Sequence, residues 1–437
     1  MITKSEIAVF WFRRDLRLND NAALFHALKS GLPVVPLFIF DTEILEKLED
    51  KNDNRVAFIY QSVLALKKEL NEIGSDLIVE FGRPTEIFKK IISRYSVKNI
   101  FANDDYEPAA IARDEYVKNI AHANGIAFQS YKDQCIFAKN DVLKDDGTPY
   151  TVFTPYSKKW RTKFLQQGLT FFPSEQNLSG FYQTNSIEPI ISLEEIGFQK
   201  TNFKFPSPKA DETIIKNYLS QRDFPGINGT SHLGIHLRFG TISIRELVKK
   251  ILTISDTFLN ELIWREFYKM ILFHFPHVAE KPFKKDYEKI LWLNDENEFE
   301  KWCEGKTGYP IVDAGMRELN ETGFMHNRVR MITAGFLTKH LLIDWRWGEA
   351  WFAKKLLDFD LSANNGGWQW AAGCGTDAAP YFRVFNPTLQ AQKFDKKNLY
   401  INKWIPEIST LEYPFPIIEH EFARKRCLSF YKKSLNK

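Results

Sequence analysis

The first 135 residues alternate short apolar runs with longer stretches of amphipathic helical pattern. The apolar runs span residues 7–12, 33–40, 76–82 and 99–104, and each has the length of one buried strand. Helical patterns such as RVAFIYQSVLALKKEL lie between them. Strands that alternate with helices predict a doubly wound parallel sheet, an α/β domain of Rossmann-like type. No GxGxxG motif follows the first run, so we do not expect a dinucleotide held in the usual Rossmann manner.

The rest of the chain predicts a connection followed by an all-helical domain. Residues 136–210 are rich in Phe, Pro, Ser, Asn and Gln and show little periodicity apart from one helix at 155–167. From residue 211 onward helical patterns follow one another, and one of them runs without a break from 328 to 344. We therefore expect an α/β domain at 1–135, an interdomain linker at 136–210 and a helical domain at 211–437.

The composition is that of a soluble globular protein, with 44% hydrophobic residues and a formal net charge of +4. Because this charge is small, any affinity for nucleic acid has to come from a local basic surface. The four cysteines, at 135, 303, 374 and 427, lack the spacing of zinc ligands, so we expect neither a metal site nor a disulfide framework. No segment has the pattern of a signal peptide or a membrane span, and we expect a cytoplasmic protein without a membrane partner.

Tryptophan is concentrated in the helical half, where nine of the eleven residues fall at or after position 264. The pattern favours an ordinary core role for three of them, Trp302, Trp351 and Trp404. Two other pairs have helical spacing: Glu261 with Trp264, and Asn327 with Met331. Each pair places a polar group beside a large soft side chain on one helix face. Taken alone, such a pair is compatible with a core, a surface or a functional role.

Several stretches resemble a known family. They are WFRRDLRLNDNAAL (11–24), RDFPGINGTSHLGIHLRFG (222–240), NELIWREFY (260–268), GKTGYPIVDAGMREL (305–319), MHNRVRMITA (325–334) and NNGGWQWAAGCGTDAAPYF (364–382). Together they resemble the photolyase/cryptochrome family, and more closely its class I cyclobutane pyrimidine dimer photolyases. The resemblance covers nearly the whole chain, in the family's order.

The resemblance implies an FAD bound within the helical domain. The matching cofactor-binding positions are Tyr218, Thr230, Ser231, His232, Leu233, Gly234, Arg330, Asp358, Phe359, Asp360 and Asn364. Hydroxyls and backbone N–H groups at the 230–234 run would hold the phosphates. The family usually has Ser-Pro where this chain has Gly234 and Ile235, which removes one side-chain hydrogen bond to a phosphate. Asn364 matches the residue that faces flavin N5, where an amide adds no charge.

The resemblance also implies an electron-transfer chain and a site for damaged DNA. Trp368, Trp345 and Trp292 match the three tryptophans that lead from the flavin to the surface. The residues that match the lesion site are Glu261, Trp264, Asn327, Met331 and Trp370. Those that match or neighbour contacts to the DNA backbone are Arg222, Arg328, Arg383, Gln390 and Lys393, for which an ordinary solvated surface is the alternative.

The implied reaction is the light-driven repair of DNA that contains cyclobutane pyrimidine dimers. Excited reduced FAD gives an electron to the flipped-out dimer, the cyclobutane ring splits and the electron returns. Glu261 would stabilise the negative charge on the dimer, with Asn327 assisting. Trp264 and Trp370 would replace the stacking that the bases lose. We expect a monomer that binds one FAD and such DNA.

The antenna and two alternative functions stay open at this point. Folate-binding members carry an Asn-Glu pair where this chain has Ala109 and Ala110, so a folate antenna is not expected, whereas a deazaflavin, another flavin or none is possible. A cryptochrome-type blue-light photoreceptor would use the same flavin but signal through a tail or a partner, and this chain ends shortly after its last helical pattern. A non-catalytic DNA- or nucleotide-binding protein would have no use for Glu261 and Asn364.

Overall fold

The structure, a computed structural model, describes residues 5–435. These residues form two compact units. The first consists of residues 5–138, 163–210 and 232–250, and the second of residues 139–162, 211–231 and 251–435. The domain boundaries expected at 135 and 210 stay a prediction.

The first unit contains a parallel sheet of five strands in the order β3-β2-β1-β4-β5. The strands are β1 (Glu6–Phe12), β2 (Val34–Asp41), β3 (Ile78–Gly82), β4 (Ser96–Asn103) and β5 (Ala127–Tyr131). Val9 of β1 lies opposite Val35 of β2 and Ile100 of β4, and all three are buried. Nearly every residue of β1 and β2 is buried, on both faces of the sheet, which explains their continuous apolar runs. The predicted doubly wound α/β fold is confirmed.

Five helices lie between these strands: α1 (Ala22–Leu28), α2 (Thr42–Leu45), α3 (Asn54–Glu72), α4 (Pro84–Arg94) and α5 (Pro108–Ala123). Their first turns follow ordinary capping chemistry. The side chains of Asn21 and Asp53 accept hydrogen bonds from backbone N–H groups at the starts of α1 and α3. Proline opens α4 and α5, where its missing N–H costs nothing.

Strand β5 was not among the strands that the sequence predicted. Its sequence, AFQSY, has no apolar run, and its residues are exposed or half-buried. It pairs with β4 at the edge of the sheet, where one neighbouring strand supplies the hydrogen bonds. The prediction failed because an edge strand needs little buried apolar surface.

The segment expected to be an irregular linker contains regular structure as well. Helix α6 (Phe153–Gln167) includes the one helix predicted there. Two 3₁₀ turns follow at Ser174–Gln176 and Leu178–Gly180. Phe181 is 2% exposed and forms an isolated bridge with Val34 at the start of β2. The buried residues here, such as Phe181, Leu193 and Ile196, are irregularly spaced and leave no periodic signal.

The remaining helices follow in chain order. They are α7 (Glu212–Gln221), α8 (Gly234–Phe239), α9 (Ile244–Ile251), α10 (Asp256–His274), α11 (Glu296–Glu304), α12 (Pro310–Thr322), α13 (Asn327–Gly335), α14 (Trp345–Lys355), α15 (Leu361–Ala372), α16 (Pro387–Phe394), α17 (Leu399–Trp404) and α18 (His420–Ser434). The predicted all-helical C-terminal domain is confirmed. Its core includes Trp302, Met316, Leu337 and Trp368, each at most 2% exposed.

The unbroken helical pattern at 328–344 predicted one α-helix, and the segment is helical as far as Leu341 but changes its hydrogen-bonding period on the way. Helix α13 ends at Gly335, and a π-helix follows at Phe336–Leu341. It ends at Leu342, whose φ of 55° lies in the left-handed region. Residues 332–345 are all buried, including the polar Thr338, Lys339 and His340, so no pattern of exposed and buried positions marks the change of helical period.

Candidate active site

Helices α10 and α15 of the second unit are in direct contact. Gly366 makes the contact possible, because a Cβ at this position would lie 2.2 Å from Cδ1 of Tyr268. Helix α10 also packs against α7, and α15 packs against α13. Candidate residues from four separate stretches of sequence are therefore brought into one region of this unit.

Glu261 on α10 is half-buried and forms an ion pair with Arg222, the residue that directly follows α7. Their side chains are 29% and 25% exposed, respectively. Burial raises the pKa of Glu261, and the neighbouring Arg222 guanidinium opposes this rise. The carboxylate thus has a charged partner, and both groups remain accessible to a ligand.

Arg328 extends this charged group. Its Nη2 lies 2.8 Å from Oδ1 of Asp223, and the same oxygen is 4.0 Å from Nε of Arg222. The Arg328 guanidinium also lies over the ring of Phe394, 4.4 Å from its centroid. Two of the residues expected to contact the DNA backbone are therefore linked through one aspartate.

Trp264 lies one turn beyond Glu261 on α10 and belongs to an aromatic cluster. Its ring stacks on that of Phe153, with the centroids 3.6 Å apart and the planes inclined by 6°. The ring of Tyr268 lies 5.5 Å from that of Trp264, with the planes inclined by 34°. Sequence reasoning missed Phe153, because nothing in its spacing connects it with a residue more than a hundred positions away.

Asn364 on α15 is held by Glu349 on α14. Nδ2 of Asn364 donates to Oε1 of Glu349 at 2.8 Å and to the Glu349 carbonyl at 3.1 Å. Burial raises the pKa of Glu349, and the hydrogen bond from Asn364 lowers it in part. The amide orientation is thereby fixed, and Oδ1 of Asn364 accepts no hydrogen bond from the described residues. Glu349 was not identified from the sequence.

One face of α15 is left open by the protein. A Cβ added at Gly367 would meet no atom of the described chain within 4 Å, and Ala363, one turn earlier, is exposed. Asn364 lies on the same face. Gly366 differs from Gly367, since its missing side chain is explained by Tyr268. The open face is therefore suited to a ligand, with an amide oxygen available as an acceptor.

Two aspartates directly before α15, Asp358 and Asp360, form further ion pairs. Arg330 Nη2 contacts both oxygens of Asp358, at 3.1 and 3.2 Å, and this pair is about a quarter exposed. Asp360 is buried, caps α15 through Ser362 and Ala363, and pairs with Lys269 at 2.8 Å. Phe359 is partly buried against the core. Asp360 thus has a structural role that does not depend on any ligand.

The three tryptophans expected to carry electrons differ in burial. Trp368 and Trp345 are each 2% exposed, and Trp292 is half-buried beside Phe430 and Tyr431 of α18. Nε1 of Trp368 is buried and makes no hydrogen bond within residues 5–435. The ring of Trp368 also lies 6.0 Å from that of Trp302, which the sequence assigned to the core.

Other candidates lie on the surface or in loops. Asn327 opens α13 and is exposed, Met331 is half-buried one turn later, and Trp370 is half-buried on α15. Arg383 and Lys393 are exposed, and Gln390 is half-buried on α16. Tyr218 on α7 packs edge-to-face with Phe258, and Thr230 and Ser231 follow in a loop.

The phosphate-binding prediction also covers the residues that lead into α8. His232 has a φ of 51°, in the left-handed region, and Leu233 precedes the first residue of the helix, Gly234. This left-handed residue lies two positions before the start of α8. At a helix start the first backbone N–H groups have no partner within the helix itself. A role in phosphate binding stays a prediction for these residues.

Comparison with known proteins decides the family. The model of the DNA photolyase family matches residues 8–175, and that of the FAD binding domain of DNA photolyase matches residues 258–412. A deoxyribodipyrimidine photo-lyase from Alkalihalophilus pseudofirmus is 35% identical over 99% of this chain and 99% of its own. The chain belongs to the DNA photolyase family. It is an FAD enzyme of light-driven DNA repair.

Solved structures agree with this family. A bacterial class III photolyase from Agrobacterium tumefaciens has a TM-score of 0.86 at 33% identity, covering 100% of this chain and 99% of its own. An archaeal photolyase from Sulfolobus tokodaii, solved with two FAD molecules, has a TM-score of 0.83 at 32% identity over 98% and 100% of the two chains. The closer resemblance to class I enzymes stays a prediction.

The residues of this photolyase fit a bound flavin. The open face at Gly367, the available Oδ1 of Asn364 and the Arg330–Asp358 pair offer space, an acceptor and a cation in one unit. The Trp368 indole, also on α15, packs against α14 at Gly348, where a side chain would leave it no room.

Among residues 5–435 no group of three or more His, Cys, Asp or Glu side chains is arranged to hold a metal ion. No described helix combines the length and hydrophobicity that crossing a membrane requires.

Proposed function

We propose that this photolyase splits cyclobutane pyrimidine dimers in DNA, at a site formed by α10, α13 and α15. The observation that carries the proposal is the contact of α10 with α15 at Gly366. Glu261 and Trp264 lie on the same helix, α10, as the Tyr268 that packs against Gly366 of α15. Glu261, the polar group for the lesion, and the open face of α15 for the flavin then lie on two helices that pack directly against each other.

Glu261 would act on the dimer itself. Its carboxyl group pairs with Arg222, and both side chains are exposed enough for a lesion to reach them. Burial raises the pKa of Glu261, and in its protonated form the carboxyl O–H would donate to a pyrimidine carbonyl. This hydrogen bond gains strength as negative charge develops on the carbonyl oxygen. Asn327 at the exposed start of α13 would add a neutral amide.

The flat side chains would replace base stacking. Flipping a dimer out of the duplex removes its contacts with the neighbouring bases, and Trp264 and Trp370 offer aromatic surface in exchange. Bound FAD supplies the light-driven electron. Asn364 and the Arg330–Asp358 pair would hold it against the open face of α15, and the 230–234 run remains the predicted phosphate contact.

The arginines would hold the DNA backbone around the flipped dimer. Arg222 and Arg328 share Asp223, and the further N–H donors of their guanidinium groups could bind phosphate oxygens. Arg383, Gln390 and Lys393 would contribute further contacts from the segment that leads into and through α16. Counterion release makes this binding weaker at high salt.

A light-dependent repair assay tests the proposal. Purified protein with reduced FAD is mixed with an oligonucleotide that carries one thymine dimer, and restored thymines are measured by chromatography after blue light and after darkness. Repair in light alone supports the proposal. Repair in neither condition, with FAD bound and the damaged strand saturated, would refute it and favour a cryptochrome-type photoreceptor.

A second chromophore is a separate question. Ala109 and Ala110 lie in the first turn of α5, where the methyl groups supply no amide or carboxylate for a folate. A deazaflavin, a second flavin or no antenna are the alternatives, and the chromophores released by heating the purified protein identify which applies. A monomeric state and a cytoplasmic location also belong to the proposal. Size-exclusion chromatography with and without damaged DNA tests the former.

A further inference from the structure

One face of Trp264 is already covered in the protein. The Phe153 ring lies parallel to it at a centroid distance of 3.6 Å, and Phe153 is 7% exposed. A ring that is stacked so closely cannot admit a base on that side. Any pyrimidine that meets Trp264 therefore has to meet its opposite face or its edge.

A third ring fixes the pair. Phe267, which is fully buried, lies edge-on to Phe153 at 5.8 Å and edge-on to Trp264 at 5.6 Å. Two aromatic rings prefer an offset or edge-to-face arrangement to a full face-to-face stack. The parallel arrangement of Phe153 and Trp264 is therefore held by the surrounding packing.

Two hydrogen bonds anchor the helix that carries Phe153. Nε1 of Trp160, two turns along α6, donates to Oε2 of Glu266 on α10 at 2.6 Å, and both residues are buried. At the start of α6, the backbone N–H of Phe153 donates to Oδ2 of Asp377 at 3.2 Å. Asp377 has a φ of 47° and lies in the segment between α15 and Arg383.

We propose that Phe153 is a positioning residue that fixes the plane of Trp264 for the flipped pyrimidines. This inference rests on the proposed repair function. A Trp264 ring that is already immobile loses less freedom when the lesion binds, and it presents one defined face. The bases of undamaged DNA stay stacked in the strand and do not reach Trp264, so the fixed ring does not strengthen their binding.

The test compares Phe153→Leu with Phe164→Leu, a half-buried phenylalanine three turns further along α6. Both variants should keep one FAD per chain. Phe153→Leu should lose about three- to tenfold in its preference for a dimer-containing single strand over the undamaged strand, whereas Phe164→Leu should keep the preference. The repair yield at saturating substrate should stay within about twofold of wild type, because Phe153 does not touch the lesion.

A double-mutant cycle with Trp264→Leu shows whether Phe153 acts through Trp264. Once Trp264 is removed, the further change Phe153→Leu should have no effect on the preference. Additive losses would overturn the inference, as would equal losses of affinity for damaged and undamaged strands. If Phe153→Leu loses its FAD, Phe153→Met fills the same space with a flexible side chain and replaces it in the cycle.

The inference and the proposed function fail in different ways. Wild-type protein that binds both strands equally would refute dimer recognition and the inference with it. Wild-type protein that prefers the damaged strand, together with an unchanged preference in Phe153→Leu, would refute the inference alone.

Discussion

A single buried residue, Gln369, fixes the orientation of its two neighbours, Trp368 and Trp370. Its Nε2 donates to the carbonyls of Val278 and Lys281, and its Oε1 accepts from the backbone N–H of Phe283 at 2.8 Å. Gln369 is 2% exposed, so this buried amide fastens α15 to the segment after α10. With α15 fixed, Trp368 points into the core while Trp370 is left half-exposed.

Glu261 gives the first prediction. Glu261→Ala should keep FAD and lower the repair yield per absorbed photon by about three- to tenfold, because it removes the hydrogen bond that the protonated carboxyl would donate to the dimer. The melting temperature should change little, since the Arg222–Glu261 pair is partly exposed. Glu298→Ala removes a half-buried glutamate on α11 outside the candidate site and serves as the control. An unchanged yield in Glu261→Ala would remove Glu261 from the mechanism.

Single residues also show how far the sequence could lead. The resemblance pointed to Glu261, Asn364 and Trp264, and the structure brings them into one region, although their roles stay predictions. It did not point to Phe153 or Glu349, which act on those residues from elements far away in the chain. Such contacts are created by tertiary packing, and no local pattern records them.

At the scale of elements, the sequence predicted those strands and helices whose buried positions form a regular pattern. The central strands and the helical half follow from continuous or periodic apolar positions. Strand β5 and the π-helix at Phe336–Leu341 do not, because one is poorly buried and the other is buried all round. A periodic signal requires that buried and exposed positions differ.

The contact surfaces of α14 and α15 give a paired prediction from two glycines. At Gly348 a Cβ would lie 2.1 Å from Cη2 of Trp368, so Gly348→Ala should destabilise the protein by about 1–3 kcal/mol through overpacking. At Gly367 a Cβ would meet nothing, so Gly367→Ala should stabilise the FAD-free protein by about 0.5–1 kcal/mol through helix propensity. The same methyl group should weaken FAD binding. Thermal unfolding and FAD titration measure both effects, and unimpaired FAD affinity in Gly367→Ala would place the flavin elsewhere.

A buried ion network in the first unit gives a prediction on acid stability. Asp133 accepts from Arg17 and Arg245, and these two guanidinium groups outweigh the opposing effect of burial and lower its pKa to about 2. The folded pKa lies below the ordinary value of 3.8, so the contribution is complete above about pH 4. It should be lost as the pH falls towards about 2, and amounts to about 2 kcal/mol.

Asp133→Asn separates this contribution from the rest of the protein. At neutral pH it should cost about 3–5 kcal/mol, because two buried arginines lose their carboxylate. The decline of stability between pH 4 and pH 2 should become shallower than in wild type. Asp145→Asn, at an exposed aspartate paired with Lys159, is the control and should change neither quantity. Denaturant unfolding across this pH range measures both, and an unchanged acid slope in Asp133→Asn would contradict the assignment.

At the scale of the whole molecule, the three tryptophans of the predicted electron path all lie in the second unit and differ in exposure. Trp368 and Trp345 are buried, and Trp292 is half-buried beside Tyr431. This gradient of exposure suits electrons that enter from solvent and end at the flavin. It does not suit the repair step, in which the electron leaves the flavin for the lesion. The two electron paths should therefore be separable by mutation.

Trp292→Phe tests that separation. Light-driven reduction of FAD by an external thiol should fall about tenfold or more, because a phenylalanine ring is much harder to oxidise than an indole. Protein reduced chemically beforehand should repair dimers at nearly the wild-type yield, since the repairing electron does not pass Trp292. Flavin absorbance under blue light measures the first quantity and the repair assay measures the second. Loss of repair in the pre-reduced variant would make Trp292 a structural residue.

Undiminished photoreduction would mean that electrons reach the flavin by another route. Trp302, whose ring lies 6.0 Å from that of Trp368, is the first candidate, and the double variant Trp292→Phe/Trp302→Phe would show whether electrons pass through it.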